Sequence, residues 1–264
     1  MDEQTDVDCG NPPEVLCRNL TTSGTKVGDT ATYTCLSKKS KSDTQTCTDD
    51  GLWSGGLRQC KCDCKHLFDD GVMESGVYPI NLKNVGHKMV YCDMEQDGGW
   101  SVLQRKLNNE VDFNTSFSSY KRGFGDPSSS HWIGLEVMDA LTNAPSEVIM
   151  TFFVQPGNTQ HVLHYSGFNP GGVRSNFSLT VSGYMPDSTW EDVFSEQTGQ
   201  SFSVRGKDYD LESGMDCAQQ TGGGWWFTSC SFFSLNGQNA SVFKPSSSQF
   251  FSVSPPTVIK VRRL

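Results

Sequence analysis

Ten cysteines, crowded toward one end, constrain what this chain can fold into more than any other feature. Cys9, Cys17, Cys35, Cys47, Cys60 and Cys62 all precede residue 63, and Cys64, Cys92, Cys217 and Cys230 follow. An even count with dense N-terminal spacing points to a disulfide framework and an oxidising compartment. A zinc reading fits worse, because Cys60-Lys61-Cys62-Asp63-Cys64 offers no Cys-x-x-Cys pair and no histidine at ligand spacing. Sequons at Asn19, Asn114, Asn176 and Asn239 agree with a secreted glycoprotein.

At 264 residues the chain has room for about two domains. Cys9, Cys35, Cys47 and Cys60 frame short β-rich pieces such as Thr30-Ala31-Thr32-Tyr33-Thr34, separated by turn formers at Gly28-Asp29, Asp49-Asp50-Gly51 and Gly55-Gly56. A unit that small buries little core, so cross-links must supply much of its stability. The order Cys9-x-x-Pro12-Pro13, Gly28, Tyr33-x-Cys35, Cys47, Gly51-x-Trp53, Cys60 resembles a sushi (complement control protein) module over residues 7–62. That resemblance implies the pairs Cys9–Cys47 and Cys35–Cys60. Cys17 and Cys62 remain, either bonded to each other across the joint or to another chain. The linker is almost absent, with three cysteines within five residues and no Gly/Ser or Pro-rich spacer. No Gly-X-Y repeat or heptad stretch offers an oligomerising stalk, although binding through several copies makes an oligomer a possible partner state.

The chemistry-bearing stretch is Asp208-Tyr209-Asp210-Leu211-Glu212-Ser213-Gly214-Met215-Asp216-Cys217, followed by Gly222-Gly223-Gly224-Trp225-Trp226 and Cys230. Two carboxylates at i, i+2 beside a turning backbone form the hard-oxygen donor set that suits Ca²⁺. The bland alternative is a solvated acidic loop. This region, with Ser234-Leu235-Asn236-Gly237, resembles the calcium and ligand region of fibrinogen C-terminal-like domains. So do Asp63-Cys64, Ser75-Gly76-Val77-Tyr78, Val90-Tyr91-Cys92-Asp93-Met94-Glu95, Asp97-Gly98-Gly99-Trp100 and Tyr120-Lys121-Arg122-Gly123-Phe124-Gly125. The resemblance covers residues 63–264 and implies an α+β class: a small all-β sushi module followed by a fibrinogen-like globular domain.

The resemblance further implies Cys64–Cys92 and Cys217–Cys230 bonds. It implies Ca²⁺ held by the side chains of Asp208 and Asp210 and the carbonyls of Glu212 and Gly214. It implies a ligand site at Thr221, Ser229, Cys230, Ser231 and Phe232, with a cis bond before Cys230 in ligand-binding relatives. Those relatives commonly place histidine where this chain has Ser231, and some an aromatic where it has Thr221. Phe232 and Phe233 read equally as pocket wall or core, and Trp225-Trp226 reads as core.

Two functions follow as expectations. The first is an extracellular calcium-dependent, lectin-like recognition protein for glycans or acetylated groups on cell or microbial surfaces, in innate immune defence. The alternative is a receptor- or matrix-binding adhesion or signalling ligand without sugar binding, which the Ser231 and Thr221 departures favour. Net charge is −9 with no basic stripe, which argues against nucleic acid. No apolar run reaches about 18 residues, which argues against membrane insertion. Met1-Asp2-Glu3-Gln4 is polar and acidic, unlike a signal peptide, and reads as the added start of a mature fragment. His161-x-x-His164 lies in a strand-like run that sends i and i+3 to opposite faces, and no catalytic motif appears. The reading is not an enzyme.

Overall fold

The computed structural model describes residues 7–13, 15, 18–35, 42–57, 63–82, 84–95, 97–230 and 232–264. Strands β1 (Arg18–Thr22), β2 (Thr30–Cys35), β3 (Asp43–Cys47) and β4 (Trp53–Ser54) form an antiparallel sheet of their own, in the order β1-β2-β3-β4. Along β2 the period-two alternation buries Ala31 and Tyr33 and leaves the threonines half-exposed. Tyr33 donates its hydroxyl to the Pro13 carbonyl at 2.9 Å, and the Cys9–Cys47 bond ties the entering chain to β3. The implied Cys35–Cys60 and Cys17–Cys62 pairs lie outside the described residues.

Beyond α1 (Cys64–Asp69) the chain builds a second, larger antiparallel sheet. Its strands are β5 (Gly76–Leu82), β6 (Gly86–Asp93), β7 (Trp100–Lys106), β8 (Phe124–Gly125), β9 (His131–Trp132), β10 (Ser146–Val154), β11 (Thr159–Asn169), β12 (Thr180–Tyr184), β13 (Ser241–Lys244) and β14 (Gln249–Arg263). The main path runs β12-β11-β10-β14-β7-β6-β5, with β13 on one end of β14 and the β8–β9 pair beside β7. The helices α2 (Phe117–Arg122), α3 (Leu135–Leu141) and α4 (Cys217–Thr221) have five to seven residues. The α+β expectation therefore holds only coarsely: the fold is mostly β-sheet with a few short helices. Asp63, Ser116 and Asp216 cap α1, α2 and α4 by accepting a backbone N–H three residues on. The Cys64–Cys92 bond pins α1 to β6.

The core beside the site is aromatic. Tyr120, Trp132, Phe202, Trp225, Trp226 and Phe194 are all buried, with neighbouring rings 4.9–6.5 Å apart. Trp225 and Trp226 are core residues, as expected. Tyr120 donates its hydroxyl to the Phe113 carbonyl at 2.7 Å and accepts the Gly224 N–H at 2.9 Å, so one phenol joins α2 to the Trp-Trp segment. Burial pushes this phenol well above its ordinary pKa. Tyr120→Phe keeps the ring but strands a buried acceptor and a buried donor, and should cost about 3 kcal/mol in urea unfolding.

The two histidines flagged in sequence do not converge. His161 sits edge-on to Trp190, whereas His164 lies between Glu147 and Asp187, with ring nitrogens 3.0 and 2.9 Å from their carboxylates. Glu147 also accepts from Arg262 at 2.7 Å, and that guanidinium lies 4.3 Å over the Trp100 ring. This is a charge cluster crossing the sheet, not a shared metal pair.

Candidate functional site

The acidic loop is anchored in the tryptophan core. Ser203 and Trp225 exchange backbone hydrogen bonds at 2.9 and 3.0 Å, which fixes the base of the loop. From there the loop is stitched by its own acids. The Tyr209 N–H donates to Ser203 Oγ, the Asp210 N–H to Asp208 Oδ1, and the Glu212 N–H to Asp210 Oδ1, each at 2.9 Å. The second Asp210 oxygen accepts the Cys217 N–H at 2.9 Å, and Asp216 accepts from both Gly206 and Gln219. Short Asp side chains that hydrogen-bond backbone two residues on are what lets this polar stretch hold a shape without a strand.

Burial, and secondarily the charge of neighbouring Asp208, raise the Asp210 carboxyl above its ordinary value, against the pull of its two backbone donors. A cation here would relieve that repulsion. Among the described residues no three His, Cys, Asp or Glu side chains converge as a metal group. Ca²⁺ would therefore draw on the two carboxylates, whose lone pairs are not exhausted by the one N–H that Asp208 accepts and the two that Asp210 accepts, and complete its shell with carbonyls such as those of Glu212 and Gly214 and with water. The donor chemistry fits.

Behind the loop the Cys217–Cys230 bond joins the first turn of α4 to the turn after Trp226. A cleft of about 260 Å³ opens beside it, lined by Gln220, Thr221, Cys230, Asn239, Phe250 and Phe251 among others. Of the expected ligand residues that are described, the structure brings Thr221 and Cys230 to this cleft. Thr221 is buried and its hydroxyl donates to the Cys217 carbonyl at 2.8 Å, so it serves the helix end. Phe232 stacks on Phe243, ring centroids 5.3 Å apart, and Phe233 is fully buried in the core. Neither Phe232 nor Ser229 lines the cleft. Ser231 lies outside the described residues. Among the described residues the cis peptide bonds precede Pro156 and Pro256, and the Ser229–Cys230 bond is not among them.

Close backbone approach explains part of the glycine run: a Cβ on Gly223 would meet the Gly237 nitrogen at 2.7 Å. Sequence reasoning missed the aromatic wall. Phe250 and Phe251 arrive through the β13–β14 hairpin, in register with Phe243 and Val242. It also missed the apolar crown of the loop, where Leu211 is 70% and Met215 49% exposed, next to Tyr209. At the loop's foot the Lys207 ammonium lies 3.5 Å over the Phe117 ring and 5.5 Å over Tyr209.

The family described as the C-terminal globular domain of fibrinogen beta and gamma chains matches residues 60–248. The chain belongs to this fibrinogen family. Its fibrinogen domain is similar to bovine (Bos taurus) angiopoietin-4, 34% identical over 177 residues, which is 66% of this chain and 35% of that protein. Mouse (Mus musculus) angiopoietin-2 is 34% identical over 179 residues, 67% of this chain and 36% of that protein. This chain thus spans about a third of the length of those curated relatives. Among solved structures, the fibrinogen-like globe domain of human ANGPTL6 superposes with a TM-score of 0.68 at 27% identity, covering 78% of this chain and 96% of that one. Among the described residues no helix is long and apolar enough to cross a membrane. The disulfides Cys9–Cys47, Cys64–Cys92 and Cys217–Cys230 suit an oxidising compartment.

Proposed function

We propose that this chain is an extracellular, non-catalytic ligand whose acidic loop contacts a receptor or matrix protein. One observation carries the reading: Leu211 and Met215 stand exposed on a loop that also presents Asp208, Asp210 and Glu212. Exposed apolar side chains interspersed with carboxylates along one loop suit a protein surface with apolar hollows and a basic rim. They offer little to a sugar. The similarity to angiopoietins supports this reading over the lectin one. Ca²⁺ held by Asp208 and Asp210, with the Glu212 and Gly214 carbonyls, would brace the loop, fix the angle at which Leu211 and Met215 are offered and leave the Glu212 carboxylate for the basic rim. The sheet β1–β4 with its Cys9–Cys47 bond supports reading residues 7–62 as a sushi module that adds a second contact.

The test is a binding screen against receptor ectodomains and matrix proteins, with and without chelator, beside calorimetry with N-acetylglucosamine. Leu211→Ser with Met215→Ser should weaken the protein complex at least tenfold, about 1.4 kcal/mol or more, without lowering the melting temperature. Chelator should weaken it as well. Heat from N-acetylglucosamine that disappears with chelator and in Asp208→Ala would instead return the site to the lectin reading.

A further inference from the structure

The sequon Asn239-Ala240-Ser241 has a placement that its tripeptide alone does not reveal. Asn239 and Ser241 both line the cleft beside the Cys217–Cys230 bond, while Ala240 between them is buried. Asn239 is exposed, and its backbone N–H donates to the Thr221 carbonyl at 3.0 Å. Its side-chain amide donates to the Gln220 carbonyl at 3.1 Å. Across the cleft stand Phe251 and Phe250, the latter 57% exposed.

We propose that Asn239 carries an N-linked glycan and that its first sugar covers this cleft, so that the protein's own carbohydrate occupies the place where an outside ligand would enter. A primary amide has two N–H bonds. One is held by Gln220, and the other is available for substitution. The donor is an oligosaccharide on a lipid pyrophosphate, the reagent class of the secretory pathway. Its C1–O bond breaks, the pyrophosphate leaves with the electron pair, the Nδ2–C1 bond forms and Nδ2 gives up one proton. The remaining N–H still donates to Gln220, so the modified side chain keeps its orientation. An N-acetylglucosamine ring then starts at the lip of the cleft, where the aromatic faces of Phe250 and Phe251 offer it apolar area. This inference does not depend on what the acidic loop contacts.

The experiment uses the full chain secreted from a eukaryotic host. Peptide-N-glycosidase treatment in ¹⁸O-water converts each occupied asparagine to labelled aspartate, read by peptide mass spectrometry. Label at Asn239 is expected, and an unlabelled Asn239 overturns the proposal. Covering is read separately, by hydrogen exchange of the 249–252 segment in glycosylated protein against Ser241→Ala. That variant removes the sequon but leaves both Asn239 hydrogen bonds. Asn239→Gln provides a second comparison. Exchange several-fold faster in the variants is expected, and equal exchange would show that the glycan points away from the cleft.

Discussion

Trp226→Ala should lower the unfolding free energy by about 4 kcal/mol, seen as a reduced denaturant midpoint at an unchanged slope. The indole is buried and touches the rings of Phe202, Trp225, Trp132, Phe168 and Phe194, so its removal leaves a hole that no single neighbour can fill. Its Nε1–H also donates to the Phe177 carbonyl at 2.8 Å, and the truncation leaves that acceptor unpaired. Trp226→Phe separates the two contributions. It keeps most of the packing and should cost about 1–2 kcal/mol, chiefly the lost hydrogen bond and the smaller ring. The damage should reach the site, because neighbouring Trp225 pairs with Ser203 at the base of the acidic loop. Exchange of the Tyr209 and Asp210 amides should therefore rise more than that of β10. Equal changes in both places would show that the loop is anchored independently of the tryptophan core.

Replacing Cys217 and Cys230 together by serine should cost about 3 kcal/mol from the freed 13-residue loop, if the cross-link acts on the unfolded chain. For a domain of this size that is a fall of about 6–12 °C in melting temperature. The paired substitution avoids a lone thiol. The bond fixes the start of α4, and with it Asp216 and the Cys217 N–H that Asp210 holds, to the turn beside the cleft. Binding through the loop should weaken along with stability. A variant that melts lower yet binds its partner unchanged would mean that the Asp210 and Asp216 hydrogen bonds hold the loop without help.

Much of this was readable from residue order alone, and the exceptions have physical causes. The bonds Cys9–Cys47, Cys64–Cys92 and Cys217–Cys230 are as the resemblances implied. Trp225 and Trp226 read as core, over a sugar-stacking role, because the resemblance implies structural packing for this pair. His161 and His164 were separated by the strand period. The cleft wall was hidden because Phe250 and Phe251 reach Thr221 only through the β13–β14 hairpin, and nothing near Cys217 or Cys230 announces them. Phe232 could not be placed, since Phe232-Phe233 fits a wall or a core until Phe243 is known to stack on one of them. The exposure of Leu211 and Met215 has no periodic signature, because the loop is shaped by Asp side chains and not by a buried face. The Glu147–His164–Asp187–Arg262 cluster likewise joins residues from β10, β11, β14 and the segment after β12 that no local pattern links.

Strand β14, which follows all the other described strands in sequence, lies in the middle of the large sheet, between β10 and β7. Gln104 on β7 donates to Thr257 on β14 across 153 positions of sequence. A ribosome delivers β7 and β10 long before the strand that must separate them. Until it arrives, both present unpaired edges that can pair wrongly or with another nascent chain. Refolding should accordingly be slow, governed by a high contact order, and loss of even a few residues from β14 should abolish folding, not merely weaken it. Secretory yield would then be limited by how long β7 and β10 wait for β14.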